Sequence, residues 1–217
     1  MRKGFEVVFD DEYIIVVNKI AKVLIQPSPK KEKITLTSLL RKETNQKVFP
    51  CHRLDRETSG VIIYAKTPQI YKVIAQQFKQ GKVEKKYIAF VKGRLNRKKG
   101  LLQDYIIDRE GKIHGEKPKK AKTIYRVLKQ QEGFSQLELR PLTGRTNQLR
   151  IQLSKIGHPI LGEDKYAFRR DFKIKVKRLF LHAFYLSFIH PISKERVTLS
   201  IDLAQDMKTL LKRDTSD

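Results

Sequence analysis

The chain has 217 residues, 40% of them hydrophobic and 9% aromatic, enough to bury a sizeable core and too apolar for a disordered chain. Lysine and arginine number 47 against 23 acids, a formal net charge of +24. Such an excess repels itself unless a polyanion relieves it, so nucleic acid is the first partner to consider, ahead of an anionic membrane, for which no strongly amphipathic basic helix is present.

In chain order, "EVVFDDEYIIVVNK" reads as two short β runs around the turn residues Asp10 and Asp11. "ITLTSLLRKE" predicts a short helix capped by Thr35 or Thr37. "GVIIYAKT" is a strand of β-branched and aromatic residues. "PQIYKVIAQQFKQGK" is the clearest helix: Pro68 opens it, Ile70, Val73, Ile74 and Phe78 recur at helical spacing, and Gly81 ends it. "KKYIAFVKG" is again a strand, and "AKTIYRVLKQQEGFSQLELRPL" a β-hairpin turning at Glu132 and Gly133. "TNQLRIQLSKIG" predicts a helix capped by Thr146, with Leu149, Leu153 and Ile156 on one face and Gly157 as its stop. "LFLHAFYLSF" and "ERVTLSI" form a second hairpin around "HPIS", and "AQDMKTLLKR" a C-terminal helix. No repeat, linker or low-complexity tract divides the chain. The expectation is one α+β domain, residues 1–217, with a mostly antiparallel sheet.

No stretch approaches the roughly 18 apolar residues of a membrane span, and "MRKGFEVVFDDEY" lacks the apolar core of a signal peptide. A lone cysteine, Cys51, allows no intrachain disulfide and fits a reducing compartment. The expected location is the cytoplasm, with no membrane partner. One cysteine and five scattered histidines supply no zinc spacing, and no Walker-type loop, dinucleotide fingerprint or G-x-S-x-G elbow is present. Neither metal nor cofactor is expected. "GRLNRKKG", "KPKKAK" and "FRRDFKIKVKR" concentrate the lysines, as a phosphate-contacting surface would. Tyr166, Phe168 and Phe172 in or beside the third cluster suit base stacking, although two of the three would serve equally as core residues.

What remains is a carboxylate in a cationic setting, in "HRLDRETSG" from His52 to Gly60. An Asp beside an Arg stays ionised near neutral pH, which suits a nucleophile or general base. Taken alone, these residues favour a loop salt bridge before a strand over a reactive Asp55. In an extended segment Arg53 and Asp55 share one side and Arg56 takes the other, and Thr58, Ser59 and Gly60 permit a sharp turn into the strand. Cys51 reads as a small apolar residue at a strand end, and His52 as structural. His158 and His182 read as hydrogen-bonded at turns or in the core.

"HRLDRETSGVIIYAKT" closely resembles the signature of the RluA-type RNA pseudouridine synthases, which convert uridine in RNA to its C-glycoside isomer. "EKKYIAFVKG", "LRPLTGRTNQLRIQLSKIGHPILGEDKYA" and "RLFLHAFYLSFIHP" are similar to three further motifs in the family's order, and "FDDEYIIVVNK" to its opening strands. The resemblance spans roughly residues 5 to 205. It implies a catalytic domain of the pseudouridine-synthase type, with a mixed, mostly antiparallel bent sheet flanked by helices and loops, and without the separate N-terminal RNA-binding domain of many relatives. It implies that Asp55 is the nucleophile, attacking either the ribose carbon or the pyrimidine ring, that Arg145 pairs with it, and that Tyr87 stacks on the target base and helps remove the ring proton. Arg53 matches the arginine that fills the space of the flipped-out uridine. Arg53, Arg56, Thr58, Gly60 and Leu149 are the expected substrate-binding residues. The expected partner is ribosomal or transfer RNA, bound by a monomer with no obligate protein partner. A non-catalytic RNA-binding or chaperone protein retaining the fold is the alternative, and joint retention of Asp55, Tyr87 and Arg145 argues against it.

The chain departs from the family's pattern in several places. Asn147 and Gln152 stand where histidines are common, Ile20 and Lys22 where a Pro and a Gly are common, and Glu163 and Ala167 where Asp and Gly are common. The changes at 20 and 22 are expected to alter a loop, not the chemistry.

Overall fold

A computed structural model describes residues 4–27, 32, 34–107, 117–168, 170 and 172–213. Arg169 and Asp171 of the third basic cluster lie outside the described residues. The described elements are α+β and fall into two compact units, Met1–Lys85 with Ala183–Asp202, and Lys86–His182 with Leu203–Asp217.

In the first unit, β1 (Phe5–Asp10) and β2 (Ile14–Lys19) form an antiparallel hairpin. Its turn is set by Asp11, whose Oδ1 accepts the N–H groups of Tyr13 and Ile14, both at 2.8 Å. β2 pairs antiparallel with β4 (Ser59–Ala65), from Ile14 opposite Ala65 to Lys19 opposite Gly60. All seven residues of β4 are buried, because it is covered on both faces and therefore runs apolar without alternation. The two-residue β3 (Phe49–Pro50) also pairs with β4. The strand order here is β1-β2-β4-β9, where β9 is Leu181–Ile189, with β10 (Arg196–Ser200) paired to β9 as the expected second hairpin.

Two helices complete this unit. α1 (Leu36–Thr44) starts at a capping box: Thr35 Oγ1 accepts the Ser38 N–H at 3.1 Å while Ser38 Oγ accepts that of Thr35 at 2.9 Å. Thr37, the other cap candidate, lies inside the helix and its hydroxyl binds Ile25 O at 2.7 Å. α2 (Pro68–Lys79) has Thr67 as its cap and Pro68 in the first turn. It buries Ile70, Ile74 and Gln77, whereas Val73 is exposed. Gln77 instead serves the sheet, with its amide exchanging two hydrogen bonds with the backbone of Ile189 at 2.7 and 2.9 Å.

In the second unit the order is β5-β8-β7-β6, all antiparallel, from β5 (Glu84–Lys92), β6 (Lys99–Ile106), β7 (Lys119–Gln130) and β8 (Phe134–Pro141). The expected turn at Glu132 and Gly133 joins β7 to β8, and Gly133 has the positive φ (79°) such a turn requires. β3 and β6 were not expected as strands. β6 begins inside a lysine cluster, and its outward positions stay exposed.

α3 (Gln148–Lys155) packs on this sheet and α4 (Gln205–Arg213) ends the described chain. Leu149 and Leu153 are buried, but Ile156 lies beyond the helix and is 43% exposed. Thr146 does not cap α3: Asn147 occupies that position in a left-handed conformation (φ 53°), without a side-chain cap. The core centres on Phe90, stacked on Phe134 at 5.3 Å and edge-on to Phe180 at 5.7 Å. Phe172 belongs to the core at 5% exposure, whereas Phe168 is 68% exposed with the Arg170 guanidinium 5.0 Å from its ring centre.

Candidate active site

In the first unit, the segment between β3 and β4 carries Arg53, Asp55, Arg56 and Thr58. It is anchored at its start by His52. The imidazole Nε2 accepts the Ile63 N–H of β4 at 3.2 Å, and the ring stacks on Phe78 of α2 at 4.7 Å. Burial, aided by the charge of Lys85, pushes this imidazole down to about 3, against a backbone hydrogen bond with Arg53 that favours the charged form. His52 is therefore neutral at physiological pH and serves as a clamp, with no proton to offer as an acid. Cys51 beside it is buried, and burial pushes its thiol up to about 12, so no thiolate nucleophile exists there.

Leu54 is buried and turns the neighbouring Asp55 into a half-buried position. The Asp55 carbonyl accepts the Thr58 N–H at 3.1 Å, closing a turn over Arg56 and Glu57. A fully buried lysine supports this turn from below. Lys19 Nζ donates to three carbonyls: Val23 O at 2.8 Å, Ile20 O at 3.0 Å and Arg56 O at 3.1 Å. The Arg56 carbonyl also accepts the Lys22 N–H at 2.8 Å. Lys22 keeps a left-handed φ of 69° although it has a side chain, so the loop holds a glycine-like shape without a glycine. The Arg56 guanidinium is exposed and lies 3.9 Å from Glu57, an ion pair of little energetic weight.

Beyond the turn, Thr58 is buried, and its Oγ1 has no hydrogen-bond partner among the described residues. Gly60 has φ +121°, and a Cβ there would stand 2.1 Å from Ala183 O of β9. Only glycine lets β4 approach β9 this closely.

In the second unit, Tyr87 lies on β5, 9% exposed and opposite Leu139, which is in turn opposite Tyr125 of β7. Arg145 sits in the loop between β8 and α3, half-buried, with Nε donating to Lys120 O at 3.3 Å. One side chain builds this loop. Gln148 Oε1 accepts the Arg145 N–H at 3.0 Å and the Thr143 hydroxyl at 2.7 Å, while its Nε2 donates to Lys122 O at 3.0 Å and Thr123 Oγ1 at 2.9 Å. All four hydrogen-bonding positions of this buried amide are used. Gln152 extends the network, accepting the Thr123 hydroxyl at 2.7 Å and donating to Leu102 O and Ala121 O.

Behind it lies a buried ion pair. Arg150 grips Glu163 through Nε at 2.8 Å and Nη2 at 2.7 Å, and Asn147 Oδ1 takes a third guanidinium hydrogen at 3.1 Å. Burial alone would raise the Glu163 carboxyl. The Arg150 guanidinium and the backbone N–H groups of Lys165 and Tyr166 outweigh it and hold the group below its usual range. Leu149, between these polar residues, points into the core. Sequence reasoning singled out neither Lys19, Gln148 nor Arg150, and it named Thr58 as a substrate contact without foreseeing its burial. Among the described residues, no group of three His, Cys, Asp or Glu side chains could hold a metal ion.

A family model described as RNA pseudouridylate synthase matches residues 13–155. The chain belongs to that family. It is 34% identical over 233 residues to tRNA pseudouridine synthase C of Haemophilus influenzae, covering 96% of this chain and 97% of that one. It is 32% identical to ribosomal large subunit pseudouridine synthase D of Zymomonas mobilis, covering 95% of this chain and 72% of the other. Among solved structures, human RNA pseudouridylate synthase domain containing 1 superposes with a TM-score of 0.76 at 27% identity, over 99% of this chain and 96% of its own. Human RNA pseudouridylate synthase domain containing 4 shares the fold, with a TM-score of 0.77 at 24% identity over 96% and 92% of the two chains.

Proposed function

We propose that this chain isomerises uridine to pseudouridine in structured RNA, with Asp55 as the nucleophile. The reaction breaks the bond from the ribose carbon to N1, turns the uracil in place, and rejoins the sugar to C5, which gives up its proton. It consumes no cofactor, so the protein's task is to attack, hold and realign. The observation that carries the reading is the Asp55 turn. A half-buried carboxylate stands on a short turn whose backbone is fixed by His52 at one end and by the Lys19 ammonium beneath it. A positioned carboxylate on rigid supports is what nucleophilic catalysis needs.

Arg145 and Tyr87 keep the roles the motifs imply, the first holding the carboxylate ionised and the second carrying the base. Arg53, exposed beside the turn, takes the place of the flipped nucleotide. Gly60 and Leu149 act through the backbone they place, since both are buried. Full-length relatives named for transfer RNA make that RNA the proposed substrate. The test is release of tritium from RNA labelled at uracil C5. Wild type should release label from transfer RNA and Asp55→Asn should not, while Arg145→Met should bind RNA without turnover. Label released by Asp55→Asn at the wild-type rate would remove Asp55 from the mechanism, and release from ribosomal RNA alone would reassign the substrate.

A further inference from the structure

The two faces of the β6-β7 pair in the second unit are unlike. On one face Leu102 and Ile106 are buried, α3 bonds the backbone through Gln152, and Lys155 of α3 meets Asp104 at 2.6 Å. The other face carries no helix among the described residues. By strand alternation and register it presents Leu101 opposite Ile124 and Lys99 opposite Arg126, with Tyr105 opposite Lys120. Leu101 is 53% exposed, Tyr105 60% and Ile124 40%. Apolar side chains this exposed and this close mark an interaction surface.

We infer that this face binds a stretch of the RNA outside the target nucleotide, with Tyr105 as a stacking platform and Lys99 and Arg126 as phosphate contacts. This rests on RNA being the substrate. Charge selects the occupant. Among the described residues, Glu138 on this face is already engaged by Arg126 at 3.3 Å, and the other ionic groups that β6 and β7 present on this face are lysines. A second copy of the chain would bring another +24 to the contact. A polyanion with flat bases matches both the cations and the exposed ring. The face also adjoins functional backbone, since Lys120, opposite Tyr105, carries the Arg145 guanidinium on its carbonyl.

The experiment uses binding, so that its outcome does not depend on turnover. Asp55→Asn protein is titrated with a full-length transfer RNA transcript at several salt concentrations, with and without Lys99→Gln/Arg126→Gln or Tyr105→Ala. The double charge variant should lower the slope of log affinity against log salt by one to two, at about 0.7 to 0.9 per lost phosphate contact. Tyr105→Ala should weaken binding about ten-fold, as the loss of one base stack would, and leave the slope unchanged. Neither substitution should change kcat at saturating RNA in the otherwise wild-type chain. The protein has no tryptophan, so Tyr105→Trp places a single reporter on the face, and RNA should quench it. Unchanged affinity and slope in both variants, or tryptophan emission indifferent to saturating RNA, overturns the inference, as does emission that responds to protein concentration in place of RNA. If these binding effects appear while wild type releases no tritium, the isomerase reading fails and this surface stands.

Discussion

Replacing Glu163 with Gln keeps the side chain's shape and removes its charge. The wild-type carboxylate is fully buried and accepts two hydrogen bonds from Arg150, and its Oε1 also receives the N–H groups of Asp164, Lys165 and Tyr166 at 3.1, 2.9 and 3.2 Å. A glutamine can keep its oxygen on the backbone donors, but its amide then faces the Arg150 guanidinium donor to donor. The Arg150 Nε bond to Oε2 is lost, at about 1.5–3 kcal/mol, and the Nη2 bond to Oε1 survives only on a neutral acceptor. A guanidinium whose side chain is 7% exposed also loses its buried counter-charge. Hydrogen-bond loss and the missing counter-charge act together, and breaking one side of such a pair costs about 3–5 kcal/mol.

Urea unfolding at neutral pH should therefore show Glu163→Gln less stable by about 3–5 kcal/mol with an unchanged m-value. The pH dependence has a definite sign. The folded carboxyl lies below its usual range, so its contribution is fully present above the unfolded value, near 4.3, and fades as pH falls through the folded one. The gap between wild type and variant should close in acid. A loss below about 1 kcal/mol at neutral pH, or a gap that widens in acid, would refute the reasoning.

Gly60→Ala should destabilise the protein by more than about 3 kcal/mol, because a methyl would stand 2.1 Å from a β9 carbonyl at a φ that side chains avoid; an unchanged thermal midpoint would contradict this. His52 should show no NMR titration between pH 5 and 8, since burial holds it near 3, and the protein should lose stability as pH falls below about 6.5; a midpoint near 6.5 would mean a solvated ring. Gln148→Leu should lower kcat by ten-fold or more while Gln148→Glu retains part of it, because the Arg145 N–H needs the acceptor that only the second supplies; equal activity in both would detach Gln148 from the Arg145 loop.

The elements best legible in the sequence were those whose local signals and tertiary surroundings agree. β4 and α2 have unmistakable apolar patterns, and Pro68 and Gly81 punctuate α2 where expected. Agreement failed where burial of polar groups decided the outcome. Thr146 is a good cap by residue type, but the Gln148 network fixes the start of α3, and the chain enters it through a left-handed Asn147. The same network was invisible beforehand, because a glutamine in a helix carries no local mark of being buried. β6 was masked by the basic run before it and by Lys99, which lies on its exposed face. The catalytic reading of Asp55 came from the ordered motifs; its immediate neighbours on their own favoured a salt bridge. The structure adds the supports of the Asp55 turn, Lys19 and His52, neither of which has a spacing that announces its role.

The left-handed Lys22 bears on how this protein can change over time. A non-glycine residue in that conformation carries roughly 1 kcal/mol of strain. The shape nonetheless persists, because its N–H is held by the Arg56 carbonyl and the surrounding carbonyls are gathered by Lys19. The loop's form is thus imposed by its neighbours and is not written in its own residues. Side-chain identity at positions 20 and 21 therefore matters less to the turn bearing Asp55 than the contacts around it. The form of both loops depends instead on one buried ammonium, Lys19, whose replacement would release them together.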